Sequence, residues 1–280
     1  MEARDGPETT LAGGLPGRLV VLYHRQMPDR YVQRDQPQGV PPLHLTGERT
    51  LPDVPEENYW FRRHLAVYEW IAARVHDRRI VDLACGEGYG SAVLARTGAS
   101  VIGVDANPEV LEHARLKYTT GRVRFERSML EMWTGDVDCV VFLQTIEHLQ
   151  DPDAVLHHVR GLIGPAGVAY VSTPNLLTLA PKGAERSGNP WHVREYRAEE
   201  YRALCERHFG SVDLLGLYHA RKLRAHQWVI EHAAWNAVHR RLGITKSFYD
   251  RFVPAISARD FALRHGALDR ALDFVAVLAP

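Results

Sequence analysis

Short apolar runs and stretches of helical period alternate along most of this chain. Strand-like runs fall at 79–84, 100–104, 122–126, 137–143, 167–172 and 212–217, with a later one at 271–278. Between them, apolar residues return at helical spacing. In 56–75 they are Tyr59, Trp60, Leu65, Tyr68, Ile71 and Ala72, close to the pattern of one helix face. Further helices are predicted at 89–97, from Pro108 to about Tyr118, from Pro152 onward, and at 198–208. Proline suits a first helical turn, where its missing N–H has no partner to lose. Asp151 is placed to cap the helix at Pro152.

Strands alternating with helices predict an α/β fold with a doubly wound, mostly parallel sheet. The count is seven strands, with 271–278 as an antiparallel last strand. The segment 220–265, rich in Arg, His and Trp, is predicted as a helical insertion before it. Such an insertion could wall an acceptor pocket, form a homodimer contact or simply cover the sheet edge.

The start of the chain is different. Residues 1–18 are rich in Gly, Pro, Thr and charge, a composition that predicts disorder. Residues 19–55 hold one strand-like run, Leu19–Tyr23, among many prolines, and predict an extended arm with no packed element. The division expected is an arm over 1–45 and one domain over 46–280. Within it, Thr46-Gly47-Glu48-Arg49 is either a polar turn or a flap whose Glu48 and Arg49 meet ligand groups.

The 280 residues include 34 basic and 34 acidic side chains. That balance argues against a surface that wraps DNA or RNA. Three widely spaced cysteines, Cys85, Cys139 and Cys205, suggest a reducing compartment with no disulfide framework. No run approaches the ~20 apolar residues of a membrane span, and the N-terminus lacks a leader pattern. A cytoplasmic protein is expected.

Ile80–Asp105 carries the first chemistry. Its first strand leads into Asp82-Leu83-Ala84-Cys85-Gly86-Glu87-Gly88-Tyr89-Gly90-Ser91, and its second ends at Asp105. Ligands bind at the carboxyl ends of strands in open parallel sheets. Gly86 and Gly88 let the backbone turn tightly and approach a ligand. Asp105 can accept both hydroxyls of a ribose. Asp82 can meet an amine or order the turn. A dinucleotide site shares the glycine turn and an acid about 20 residues on. Here, however, Ser91 fills the sixth position of that pattern, and Asp82 precedes the turn.

Later motifs add an acceptor side. After the third strand, Ser128 can hydrogen-bond a flat ring and Met129 can pack on its face, the place where the family resemblance given below implies an adenine. After the fourth comes Gln144-Thr145-Ile146-Glu147-His148. His148 is a candidate general base, since imidazole titrates near neutrality, with Glu147 to orient it or bind a metal. The alternative is a Glu-His pair that holds the loop together. Ser172-Thr173-Pro174-Asn175 ends the fifth strand and leads to Asn189-Pro190-Trp191-His192. His192 is the rival base, and Trp191 and Tyr196 offer flat faces to a ring or sugar.

The run Val81–Gly90 resembles the first motif of class I S-adenosylmethionine (SAM) dependent methyltransferases. From Thr46 to about Tyr218 the chain resembles the group that includes ubiquinone-biosynthesis O-methyltransferases. This resemblance implies SAM as cofactor. It places Arg63 or His64, Ala84, Asp105 with its neighbour Ala106, and Gln144 at cofactor contacts. In the quinone enzymes a Glu-x-x-Glu-His run can hold magnesium. Its first Glu is missing here, so Glu147 and His148 remain and no metal site is assigned.

A closer resemblance rests on Gly47–Pro52, Glu57–His64, Ser172–Asn175 and Asn189–His192. These are similar to O-methyltransferases of intracellular glycans, such as those of methylglucose lipopolysaccharide and of the mycofactocin oligosaccharide. The expected activity is therefore methyl transfer from SAM to a sugar hydroxyl of an oligosaccharide or polysaccharide. One alternative acceptor is a small phenol or quinone-like molecule. Another alternative is a non-catalytic SAM-binding subunit, against which the intact glycine turn and Glu147-His148 pair speak.

Overall fold

The computed structural model describes residues 31–181, 183–232 and 246–280. One sheet holds eight strands: β1 (Arg79–Leu83), β2 (Ser100–Asp105), β3 (Val123–Arg127), β4 (Val137–Leu143), β5 (Ile163–Pro174), β6 (Ser211–His219), β7 (Phe261–Arg264) and β8 (Asp273–Ala279). Their order is β3-β2-β1-β4-β5-β8-β6-β7. Strands β1 to β5 pair in parallel. Strand β8 lies antiparallel between β5 and β6, so the last strand has the expected direction.

The sheet has one strand more than the seven predicted. The addition, β7, lies inside the predicted helical insertion and pairs Phe261–Arg264 with Gly216–His219. Four residues are too few for alternation to stand out against a helical period.

Strand β4 shows why the central runs are mostly apolar. Successive side chains of a strand point to opposite faces. Val140 and Phe142 join Leu156 and Val159 of the helix Pro152–Leu162 and Tyr201 of the helix Ala198–Glu206. Cys139 and Val141 join Val67 and Ile71 of the helix Asn58–Ala72 on the other face. With both faces covered, every position but the partly exposed Asp138 is buried. The helix starts follow the predicted chemistry: Asn107 accepts from the Glu109 and Val110 N–H groups ahead of Pro108, and Asp151 accepts from Ala154 N–H ahead of Pro152.

A buried ion pair fastens the first helix to the last strand. Arg63 Nε donates to Asp273 Oδ2 at 2.7 Å, and its Nη2 reaches Asp273 Oδ1 and Leu272 O. Such two-pronged pairs are among the stronger polar contacts.

Two expectations about flanking segments change. Residues 31–45 are extended, as predicted, but they are packed. Leu43 and Leu45 bury against Leu51, Val54 and Val110. No periodic signal marks this contact, because irregular chain packs one side chain at a time. In 220–265, the described parts include the helices Arg221–His232 and Lys246–Phe252. Asn58 Nδ2 donates to Val253 O and Ile256 O at 2.8 and 3.0 Å, setting this segment beside the first helix. Residues 1–18, the run Leu19–Tyr23 and residues 233–245 lie outside the described residues. Among the described residues, no helix is long and apolar enough to cross a membrane.

Candidate functional site

At the carboxyl ends of β1, β2 and β4 lies a cavity of about 460 Å³, within the ~300–1,000 Å³ range of small-molecule sites. Two non-glycine residues at strand ends line it in left-handed backbone, Ala84 at φ 54° and Gln144 at φ 51°. Each costs on the order of 1–3 kcal/mol and persists only where its surroundings hold it. Gln144 is held by Ser172: its N–H donates to the Ser172 carbonyl at 3.1 Å, and its Nε2 donates to Oγ at 3.0 Å.

The two glycines of the turn do different jobs. Gly86 lines the cavity at φ 56°, and a Cβ there would meet nothing within 4 Å. That leaves open ground for a ligand. A Cβ on Gly88 would sit 2.9 Å from Ala114 Cβ and 3.0 Å from the Phe125 ring. Gly88, expected to admit a ligand, instead admits the neighbouring helix and strand.

Asp105 is aimed by backbone. Its Oδ2 accepts from Gly86 N–H and its Oδ1 from Asn107 N–H, both at 2.9 Å. A carboxylate offers about four lone-pair sites, so acceptor capacity remains toward the cavity. Ala106, Ser128 and Met129 line the same side. His64 lines the opposite side, with its Nδ1 3.3 Å from Thr50 Oγ1, which in turn lies 3.1 Å from Tyr89 OH. Burial pushes the His64 pKa down to about 4, so its ring is neutral at neutral pH.

Two other expected cofactor contacts sit elsewhere. Arg63 is one helical step, about 100°, from His64 and is committed to Asp273. Asp82 is fully buried beneath the turn, accepting from Tyr68 OH at 3.1 Å and Ser91 Oγ at 2.7 Å. Burial pushes its carboxyl up to about 7 against those two donors. It orders the turn from below rather than facing the cavity.

On the other side, Thr145, His148 and Trp191 line the cavity. His148 Nδ1 lies 2.8 Å from the Trp191 carbonyl. A carbonyl only accepts, so Nδ1 carries the proton and the neutral ring keeps its lone pair on Nε2. Burial lowers the His148 pKa, opposed by the Trp191 carbonyl.

His192 is placed behind this ring, with centroids 5.1 Å apart at 80°. Its Nδ1 lies 2.7 Å from Glu195 Oε1, and its Nε2 lies 2.9 Å from Asn189 Nδ2. The Asn189 oxygen accepts from Trp191 N–H, which turns its amide hydrogens toward His192. Both His192 nitrogens are therefore engaged, and the ring is buried.

Glu147 is buried too. Its Oε2 accepts from Thr173 Oγ1 at 3.1 Å, and burial pushes its pKa up to about 8. Its carbonyl accepts from the N–H groups of Val193 and Arg194, so it tethers the loop that carries Trp191. One ligand atom each from Glu147, His148 and His192 lie within 4.8 Å of one another. A cation could span them only by releasing His192 from Asn189 or Glu195.

Of the two accounts of Thr46–Arg49, the flap is the one whose residues reach the cavity: Glu48 and Arg49 line it, joined by a 2.7 Å ion pair. Sequence reasoning missed Thr50 and Tyr89. Tyr89 opens the helix after the glycine turn, a position that faces the strand ends, whereas Thr50 gave no signal. The described part of 220–265 contributes no lining residue, so it does not wall the acceptor side there.

The methyltransferase domain family matches residues 56–226. A probable S-adenosylmethionine-dependent methyltransferase of Mycolicibacterium smegmatis is 37% identical over 245 residues, 84% of this chain and 94% of that one. A ubiquinone biosynthesis O-methyltransferase of Xanthomonas campestris is 33% identical over 129 residues, 42% of this chain and 54% of that one. Among solved structures, a SAM-dependent methyltransferase of Thermotoga maritima, described as a possible histamine N-methyltransferase, superposes with a TM-score of 0.53. It is 16% identical and covers 80% of this chain and 94% of its own, a likeness of fold. The family match and the mycobacterial relative together establish that this chain belongs to the class I SAM-dependent methyltransferases.

Proposed function

We propose that this methyltransferase acts on a hydroxyl oxygen of a sugar, in an oligosaccharide or polysaccharide, with His148 as general base. The observation that supports this most is the pairing of His148 with Trp191. The carbonyl of Trp191 leaves Nε2 as the basic nitrogen of His148, and its indole, 47% exposed, borders the same cavity. An exposed aromatic face suits the apolar face of a sugar ring, and an aligned imidazole suits removal of a hydroxyl proton.

The residues present fit SAM. Gly86 leaves open ground, and Asp105 keeps lone pairs for ribose hydroxyls. Ser128 and Met129 stand ready for an adenine, and Ala84, Ala106, His64 and Gln144 complete the pocket. Leu130 and Leu143 add apolar wall. When bound, SAM supplies a methyl made electrophilic by its sulfonium. The chain's own task is then alignment, which carries much of the rate, and proton removal at His148 Nε2. Glu147 serves through its carbonyl, by holding the Trp191 loop, and His192 by backing the His148 ring.

Methyl transfer to oxygen is supported by the likeness to the Xanthomonas O-methyltransferase. The same likeness favours a second reading, in which the acceptor is a small phenol or quinone-like metabolite. Mass spectrometry of extracts from cells with and without the protein separates the two. A glycan class lacking one methyl group in the deficient cells is expected. Unchanged glycans alongside an unmethylated phenol or quinone would move the acceptor to the second reading.

A further inference from the structure

The glycine turn carries a carboxylate that the cofactor contacts leave unused. Glu87 lies between Gly86 and Gly88, and its side chain is buried. Four donors converge on it. Gln33 Nε2 lies 3.0 Å from Oε1, His113 Nε2 at 2.9 Å, Lys117 Nζ at 2.9 Å, and Tyr118 OH 2.9 Å from Oε2. His113 Nδ1 lies 2.8 Å from the Pro41 carbonyl. A ring with oxygen acceptors at both nitrogens donates from both.

Three of these four partners belong to the N-terminal arm or hold it: Gln33, His113 and Lys117. Gln33 Nε2 reaches Pro52 O, and Gln33 Oε1 accepts from Leu43 N–H. Lys117 Nζ also reaches Gln36 Oε1 and Asp53 Oδ2. The arm is thus pinned at residues 33, 36, 41, 43, 52 and 53 around one carboxylate. Residues 48–50, between those pins, line the cavity. A buried charge is tolerated only when paired and hydrogen-bonded, so Glu87 and the arm depend on each other.

We propose that Glu87 is a positioning residue that couples the arm to the cofactor site. Docking of residues 31–54 sets the glycine turn, and an occupied turn in turn holds residues 48–50 over the cavity. Coupling between sites is reciprocal: whatever loosens the arm weakens the cofactor, and the cofactor protects the arm. The inference rests on this cavity being the SAM site, which Asp105→Ala tests separately.

The experiment uses the full chain, S-adenosylhomocysteine (SAH) as ligand, and two variants. Glu87→Gln keeps the side-chain shape without the charge. Gln33→Ala cuts the arm's direct bond to Glu87, with the Pro52 and Leu43 bonds inside the arm, at a distance from the cavity. Calorimetry gives SAH affinity, and limited trypsin cleavage after Arg34 and Arg49 reports arm docking. In the unaltered protein SAH is expected to slow both cleavages about fivefold or more, and each variant is expected to weaken SAH about tenfold and lose that protection. Glu87→Asp is expected to restore part of both.

A merely structural role would lower the melting temperature while leaving SAH affinity of the folded protein within about twofold. That outcome, or cleavage in the unaltered protein that ignores SAH, overturns the proposal. Should Glu87→Gln fail to fold, Gln33→Ala decides by the same two readings. If Asp105→Ala binds SAH as well as the unaltered protein, the error lies in the site assignment instead.

Discussion

The two sides of the cavity are built by different means. The cofactor side is largely backbone: a glycine with open ground at Gly86, a left-handed Ala84, and an Asp105 aimed by two N–H groups. All of this comes from one strand-turn-helix-strand unit. The acceptor side is assembled from side chains distant in sequence. His148 is fixed by a carbonyl 43 residues further on, and that loop is held by the carbonyl of Glu147 and by the His192–Glu195 pair. A surface made of backbone tolerates few sequences, so it writes a motif. A surface made of side chains can be re-dressed loop by loop, which lets one fold serve many acceptors.

Substitutions can break that contrast. The largest effect is expected outside both sides, at Arg63. Arg63→Met leaves Asp273 buried and unpaired, and is expected to cost about 3–5 kcal/mol in denaturant unfolding. SAH affinity of the folded protein should stay within about threefold. Intact stability with lost SAH binding would return Arg63 to the cofactor side.

Next comes His148, the proposed base. His148→Ala is expected to lower turnover about 10²–10⁴-fold, the usual worth of general acid–base catalysis, with SAH affinity kept. His192→Ala should cost less, since both its nitrogens already serve the protein. Burial holds the His148 pKa below the ordinary histidine range, so the acid limb of turnover should lie below that range and vanish in His148→Ala. A larger loss in His192→Ala would exchange the two roles.

Asp105→Ala should weaken SAH about 10²-fold, the scale of two hydrogen bonds to a charged group, with turnover recovering at saturating SAM. Equal affinity would remove Asp105 from the ribose.

The smallest effect concerns Glu147. Its pKa rises from 4.5 to about 8 on folding. Between those values the folded chain holds more protons than the unfolded one, so this group removes stability as pH rises through the window. Glu147→Gln should therefore gain melting temperature on the unaltered protein from about pH 4.5 to about pH 8, reaching a few degrees. Asp82, raised from 3.8 to about 7, keeps part of the slope in both proteins. A flat difference would mean Glu147 is ionised when folded.

What the sequence carries follows the same divide. The parallel strands and the capped helices at Pro108 and Pro152 were legible, because burial on both faces and missing N–H groups leave local marks. Gly86 and Asp105 were legible for the same reason. Arg63 was misplaced because its partner, Asp273, lies 210 residues away. Gly88 looked like Gly86, since a glycine that admits a ligand and one that admits Phe125 read alike. The arm's packing was invisible: Leu43 and Leu45 follow no period, and Glu87 reads as a spacer between glycines. His148 and His192 were both singled out, but only the Trp191 and Asn189 contacts rank them.

The most direct measurement is transfer of an isotope-labelled methyl from SAM by the purified protein, offered glycan fractions beside a panel of phenols. The label is expected on a sugar oxygen of an oligosaccharide with the unaltered protein, and almost none with His148→Ala. Label on a phenol, or equal labelling of the glycan by His148→Ala, would contradict the account.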